Sequence, residues 1–458
     1  MNYDTIAAVA TAMTSSGIGI IRISGSEAFS IINKIFRPKN EKKNILNQPT
    51  YTIHYGSIYD EEELLDEVLV LLMQGPHSYT AEDTVEIDCH GGVLVMRRIL
   101  ETVFKNGARP AEPGEFTKRA FLNGRIDLSQ AEAVIDVIQA KNQMALKNSV
   151  SQLKGSVCSK IKELRSKVLY ELAFIESALD DPEHISLEAY PNRLFDTISE
   201  ILTEVEKLLQ TSHNGRILKE GIKTVIVGKP NAGKSSLLNV LLGEERAIVT
   251  DIAGTTRDIL EEHLQLKEVS LNIMDTAGIR STKDVVEQIG VTRAREQAKD
   301  ADLILYVADS SCSLDESDEE ILELLKEKKA VVLLNKSDLH AVVTVDMMKE
   351  ITNHPVIPIS AKEEKGIQEL EDKICELFFQ GEVSFNDEIV ITNLRHKAAL
   401  MSVKNSLSMV LNSIRDGLPE DFYSIDLMDA YTSFGSIIGE EVEEDLVNEI
   451  FSKFCTGK

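Results

Sequence analysis

Gly228-Lys229-Pro230-Asn231-Ala232-Gly233-Lys234-Ser235 is the stretch from which the fold is read. It has the form G-x-x-x-x-G-K-S, is entered from the apolar run Thr224-Val225-Ile226-Val227 and leaves into Ser236-Leu237-Leu238-Asn239-Val240. Strand, tight loop and helix therefore follow one another, which is the setting a phosphate-binding loop requires. The glycines let backbone N–H groups curl around phosphates at the positive end of a helix. Lys234 supplies a point charge to the outer phosphates, and the Ser235 hydroxyl is suited to magnesium. An ordinary glycine-rich turn is the alternative reading, but it gives no reason for a Lys-Ser pair at this position.

Three later motifs stand in the order and spacing of a guanine-nucleotide site. Asp275-Thr276-Ala277-Gly278 ends the alternating stretch Leu271-Asn272-Ile273-Met274; the carboxylate suits a magnesium shell, and Gly278 offers its backbone to a terminal phosphate. Asn335-Lys336-Ser337-Asp338 follows the strand-like run from Ala330 to Leu334. Asp338 can accept from both N1 and the 2-amino group of guanine, a donor pair that adenine lacks. Ser360-Ala361-Lys362 follows the run from Val356 to Ile359 and resembles the base-contacting loop of small GTPases. Between the first two motifs, Gly254-Thr255-Thr256-Arg257-Asp258 carries a threonine, read as Thr256, that would complete the magnesium shell when a terminal phosphate is present. Together the motifs imply binding and hydrolysis of GTP.

Two departures from Ras-type GTPases are informative. Where those enzymes place a water-orienting Gln, this chain has Ile279, whose side chain cannot position a nucleophile. Between Arg280 and Gly290 the polar candidates are Asp284, Glu287 and Gln288, and a carboxylate acting through a bridging water is chemically adequate. No arginine finger is identifiable. A monovalent cation held by Asn231 and by oxygens of the Thr250 to Thr255 segment is one source of the missing positive charge; a plain turn residue is the other reading of Asn231.

The GTPase block, the segment Pro113-Gly114-Glu115-Phe116-Thr117-Lys118-Arg119-Ala120-Phe121-Leu122-Asn123-Gly124 and the terminal Phe454-Cys455-Thr456-Gly457-Lys458 together resemble the MnmE (TrmE) family of tRNA modification GTPases. The match covers the whole chain, with Thr456 where an apolar residue is commoner. The resemblance implies nucleotide contacts at Asn231, Ala232, Gly233, Lys234, Ser235 and Ser236. It extends them to Thr250, Asp251, Ile252, Ala253, Gly254, Thr255 and Thr256, and to the three later motifs. It further implies potassium at Asn231, Thr250, Ile252 and Thr255, in the place of an arginine finger, and magnesium at Ser235 and Thr256. Glu287 matches the family's catalytic glutamate, which agrees with the absent Gln at Ile279. Family GTPase domains meet across a homodimer when GTP binds, and the FAD-dependent enzyme MnmG is the implied partner.

Composition sets the background. With 458 residues and 43% hydrophobic content the chain suffices for several domains, each burying its own core. No basic segment precedes an apolar core near Met1, and no apolar run approaches the ~20 residues that span a bilayer. Five scattered cysteines without a C-x-x-C pair suit a reducing cytoplasm. The 49 basic and 75 acidic residues leave a net charge of −26, which opposes autonomous tRNA binding. Either a local basic surface drawn from Arg97, Arg98 and Lys118-Arg119 does the work, or a more basic partner supplies most of the contact.

Residues 1–118 mix strands (Gly19 to Ile23, Glu67 to Met73, Thr84 to Cys89) with helices and read as an α+β domain. Helical spacing runs from about Ser129 to His213, with Pro182 and Pro191 at the one break, and resumes from Thr392 to Phe454. The expectation is a multidomain α/β plus all-α protein: an α+β domain (1–118), a helical bundle (119–214 and 382–458) and a Ras-like P-loop GTPase domain inserted into it (215–381). Within the first domain, Arg22, Glu86 and Arg125 read by themselves as surface or ion-pair residues. The resemblance assigns them, with Lys458, to a 5-formyltetrahydrofolate or related tetrahydrofolate, the one-carbon donor to C5 of a wobble uridine. Cationic side chains would take the glutamate tail and a carboxylate the ring donors. Cys455 is a candidate for the chemistry or for packing. The competing readings are a GTPase assembly factor that binds ribosomal RNA, and a dimeric switch in which folate regulates without being consumed.

Overall fold

The structure, a computed structural model, describes residues 4–40, 44–181, 183–184, 189–243, 262–266, 269–274, 300–326, 328–379, 389–440, 442 and 444–458. It divides into two compact units. One contains Met1–Ile138, Ser151–Phe195 and Ser406–Lys458; the other contains Gln139–Val150 and Asp196–Asn405.

The first unit is built on a seven-stranded sheet formed by β1 (Ile6–Val9), β2 (Ile18–Ser24), β3 (Phe36–Pro38), β4 (Thr52–Asp60), β5 (Glu63–Met73), β6 (Thr84–His90) and β7 (Arg109–Pro110), in the order β3-β4-β5-β6-β2-β1-β7. All neighbours are antiparallel except β1 and β7. Helices α1 (Ala28–Ile35) and α2 (Val93–Lys105) turn Ile31, Ile32, Ile35, Met96, Ile99 and Val103 onto one face of this sheet, where Ile21, Ile23, Val70, Val85 and Ile87 meet them. The period-2 and period-3.6 patterns thus share a single apolar core. Beside it lie α3 (Glu115–Leu122) and α4 (Leu128–Gln139); α5 (Gln143–Leu153) ends in this unit, and α6 (Ser156–Asp180) follows. A further helix, α7 (Tyr190–Glu220), starts here with Pro191 in its first turn, where the missing N–H costs nothing.

The second unit holds a six-stranded sheet. Its members are β8 (Ile222–Val227), β9 (Glu262–Leu266), β10 (Val269–Ile273), β11 (Leu303–Asp309), β12 (Ala330–Asn335) and β13 (Val356–Pro358), in the order β13-β12-β11-β8-β10-β9. Only the β9–β10 pair is antiparallel. β11 and β12 are almost wholly buried, as expected of central parallel strands covered on both faces. The crossovers include α8 (Lys234–Leu242), α9 (Glu316–Leu325) and α10 (Val345–Ile351), and α11 (Ile367–Phe379) follows the last strand. Asp315 starts α9 with a capping box completed by Asp318. Residues after α11 form α12 (Leu394–Arg415), α13 (Glu420–Ile438) and α14 (Glu444–Ser452), the last two in the first unit. Among the described residues no helix is long and apolar enough to cross a membrane.

Candidate functional site

In a parallel sheet the strand ends align, so the segments after β8, β11, β12 and β13 emerge on one edge. β8 lies between β10 and β11, the point at which the chain turns to opposite sides of the sheet and where open α/β sheets bind ligands. The phosphate loop fills that position. Gly228 (φ 152°), Asn231 (φ 66°) and Gly233 (φ 103°) give it the left-handed curl that lets successive N–H groups point inward. A Cβ on Gly233 would fall 2.0 Å from Asn335 Nδ2, so the loop can sit against Asn335 only as glycine.

Asn335 is buried and joins two of the motifs. Its Nδ2 donates to Ala232 O at 2.8 Å, and its Oδ1 accepts from the Ala361 N–H at 3.1 Å. Next to it, Ser360 Oγ donates to Asp338 Oδ1 at 2.7 Å and holds that carboxyl below the usual carboxylate range. Lys336, at φ 63°, forms an ion pair with Asp309 at the end of β11. Lys234 Nζ donates to Gly228 O and Lys229 O, both at 2.7 Å, and burial holds its ammonium below the ordinary lysine range. Two neutral carbonyls are weak partners for a buried cation, so this arrangement fits a phosphate, which would satisfy the charge better. Ser235 and Ser236 open α8 directly after it.

Thr250, Asp251, Ile252, Ala253, Gly254, Thr255 and Thr256, the Asp275-Thr276-Ala277-Gly278 motif, Ile279, Asp284, Glu287 and Gln288 lie outside the described residues. Among the described residues no group of three or more His, Cys, Asp or Glu could hold a metal ion. The sequence reading passed over Lys229, whose Nζ pairs with Asp315 (2.9 Å) and Asp318 (2.7 Å), while the Tyr306 hydroxyl donates to Asp318 at 2.7 Å. These contacts fasten the start of the phosphate loop to α9. They join residues far apart in sequence, and no local pattern marks them.

In the first unit the structure gathers all four residues read as folate contacts. Arg22 and Glu86 are register partners across β2 and β6, with Nε donating to Oε1 at 2.7 Å. Arg22 Nη1 also donates to Gly457 O at 3.1 Å, which brings in the chain terminus. Arg125 and Lys458 line a cavity of about 400 Å³ together with Tyr79, Gln130 and an apolar wall of Ile126, Val134, Val137, Ile138 and Leu153. Burial, aided by the charge of Arg22 and partly opposed by Glu86, pushes the Lys458 ammonium down. Cations beside an apolar wall fit a ligand with carboxylates at one end and rings at the other. Cys455 is exposed; its carbonyl accepts from Gly114 N–H (3.2 Å) and Lys458 N–H (3.1 Å), closing the terminal turn onto α3. Tyr79 and Gln130 were not singled out from sequence. Tyr79 lies in the connection between β5 and β6, where nothing local distinguishes it.

The proposed basic surface is corrected by the structure. Arg119 is only 2% exposed and sits among Glu82 (3.0 Å), Glu115 (3.0 Å) and Asp4 (3.4 Å). Arg98 pairs with Glu63 at 2.6 Å, and Lys118 donates to Asn448 at 2.6 Å. The carboxylates of Glu82, Glu115 and Asp4 hold Arg119 in a buried ion network, while Lys118 stays outside it.

A family model described as the MnmE helical domain matches residues 128–455, and one described as the GTP-binding protein TrmE N-terminus matches residues 5–125. The tRNA modification GTPase MnmE of Lachnoclostridium phytofermentans is 58% identical over 458 residues, covering 100% of both chains. Proteins of the same name from Thermoanaerobacter sp. (49% over 461 residues, 100% of both) and Clostridioides difficile (49% over 456 residues, 99% of both) are similar along their whole lengths.

Proposed function

Because the chain belongs to the MnmE (TrmE) family of tRNA modification GTPases, we propose that its hydrolysis of GTP is potassium-dependent and controls the conformation of a tRNA-modifying complex. With an FAD-dependent partner of the MnmG type, the complex adds a carboxymethylaminomethyl or aminomethyl group to C5 of the wobble uridine in certain tRNAs. The proposed setting is the cytoplasm, and the proposed assembly is a homodimer joined by that partner, with tRNA held largely through it. The division into residues 1–118, 119–214, 215–381 and 382–458 belongs to the same reading. The observation that carries it is Asn335, which ties Ala232 of the phosphate loop to Ala361 of the base loop beside Asp338.

In this reading Asp338 accepts from guanine, and the N–H groups of Ala232 to Ser236 with Lys234 hold the phosphates. Glu287 orients the attacking water through a second water. The attacking water adds to the terminal phosphorus as the bond to the bridging oxygen breaks, giving GDP and phosphate. Ser235 and Thr256 would hold magnesium, and Asn231, Thr250, Ile252 and Thr255 potassium; when bound, the ions supply positive charge beside the phosphates. Arg22, Arg125 and Lys458 would bind the carboxylates of a 5-formyltetrahydrofolate, with Glu86 accepting from its ring and Cys455 nearby as the candidate for covalent chemistry.

Nucleoside mass spectrometry of total tRNA tests the reading. Cells lacking the gene are expected to lose the C5-modified wobble uridines, the wild type to restore them, and Glu287→Ala to restore them poorly. Unchanged nucleosides would favour a ribosome-assembly GTPase. A labelled folate carbon that never reaches tRNA would make the folate a regulator, and equal hydrolysis in potassium and sodium at matched ionic strength would remove the potassium ligands.

A further inference from the structure

Three cations converge on one aromatic ring in the first unit. Arg125 lies 5.0 Å from the Tyr79 centroid, and Arg22 and Lys458 each lie 5.6 Å away. The ring is itself anchored, because the Tyr79 hydroxyl hydrogen-bonds to Thr117 Oγ1 at 2.9 Å, and Thr117 is fully buried in α3. Tyr79, Arg125 and Lys458 are also the residues that put aromatic and cationic surface into the cavity of about 400 Å³. Like charges this close repel one another, and Glu86 is engaged with Arg22. A ring face carries negative potential and attracts cations without ending their capacity to donate hydrogen bonds.

We propose that Tyr79 is the positioning residue of this site: its ring holds Arg125 and Lys458 as a pair facing the cavity, preorganised for a ligand's carboxylates. This rests on the folate reading above and adds to it a reason why the cations face the cavity before a ligand arrives. A carboxylate in place of the ring would hold the cations more tightly but would compete with the ligand for them. An aliphatic residue would leave them free to swing toward other acceptors. An anchored aromatic ring does neither.

Calorimetric titration of the full chain with 5-formyltetrahydrofolate, and with a tetrahydropterin lacking the aminobenzoylglutamate tail, tests the proposal on the wild type, Tyr79→Phe and Tyr79→Leu. Tyr79→Phe keeps the ring and is expected to stay within about threefold of the wild type. Tyr79→Leu is expected to weaken the folate about 10-fold or more, as the loss of two cation–ring contacts implies, while its affinity for the tail-less pterin changes less than twofold. Parallel loss of both ligands in Tyr79→Leu, with a lowered melting temperature, would mean a structural role and overturn the proposal. Unchanged folate affinity in Tyr79→Leu overturns it while leaving the folate reading intact. Absence of heat with the wild type at two temperatures, together with no retention of the folate in equilibrium dialysis, overturns both.

Discussion

Asn335 is the side chain through which the phosphate loop and the base loop are joined. It is 3% exposed and serves two backbone groups, so truncation removes the partner of both at once. Leaving a buried backbone group unpaired costs about 1–3 kcal/mol. Asn335→Ala is therefore expected to weaken a fluorescent GDP analogue by about 10- to 100-fold in equilibrium titration, and an affinity within twofold of the wild type would show that the two loops hold their places independently. At the other site, Lys458 carries a pH dependence. Burial and then Arg22 push its ammonium down, so in the folded chain it loses its proton at a lower pH than an unfolded lysine does. Between the two values the unfolded state binds more protons, and this group's contribution to stability rises with pH. Ligand affinity moves the opposite way, because a neutral amine cannot pair with a carboxylate. The association constant for 5-formyltetrahydrofolate is expected to fall as pH rises toward the ordinary lysine value, and Lys458→Arg to flatten that fall; identical profiles would remove Lys458 from the tail contacts.

The terminal turn shows how close approach adds to hydrogen bonds in fixing an element of a few residues. A Cβ on Gly457 would lie 2.5 Å from Val9 O and 2.7 Å from Ala10 Cα, both backbone atoms of or beside β1. Gly457→Ala must therefore lift the turn, taking with it the carbonyl that Arg22 holds and the Lys458 that follows. The expected result is loss of folate binding by at least about 10-fold with GDP affinity unchanged; equal folate affinity would mean that the turn can move without disturbing the cations. Elements of this kind mark the boundary of what sequence shows. β12 was legible because Ala330 to Leu334 is apolar throughout, and the long helices because their spacing persists for many turns. β4 was not: His54 and Gly56 interrupt its alternation, and Gly56 is required only because Arg37 O and the Phe36 ring press against it from β3. The phosphate loop is legible because its chemistry is local. The Asn335 clamp, the Lys229 pairs and the ring of Tyr79 are not, since each depends on strand ends or loops that only the sheet order brings together.

At the scale of the whole molecule, charge argues most. Counterion release makes nucleic-acid affinity fall with salt in proportion to the phosphates neutralised, with a slope of roughly −0.9 per phosphate on a duplex and −0.7 on single strands. A chain of net charge −26 can bind tRNA tightly by itself only through a concentrated basic face. The residues that sequence offered for one are spent elsewhere: Arg119 is in the core, Arg98 pairs with Glu63, and Lys118 reaches Asn448, leaving Arg97 exposed on α2. The slope of log K against log salt for this chain and tRNA is therefore expected to be shallower than about −2, equivalent to two or three phosphates. Adding the FAD-dependent partner is expected to steepen it past about −4 and to raise affinity together with it. Filter binding across a salt series, with each protein alone and both together, measures all three slopes. A steep slope for this chain alone that Arg97→Ala makes shallower by about one unit would relocate the tRNA contact to α2, and it would mean that local charge outweighs the global balance.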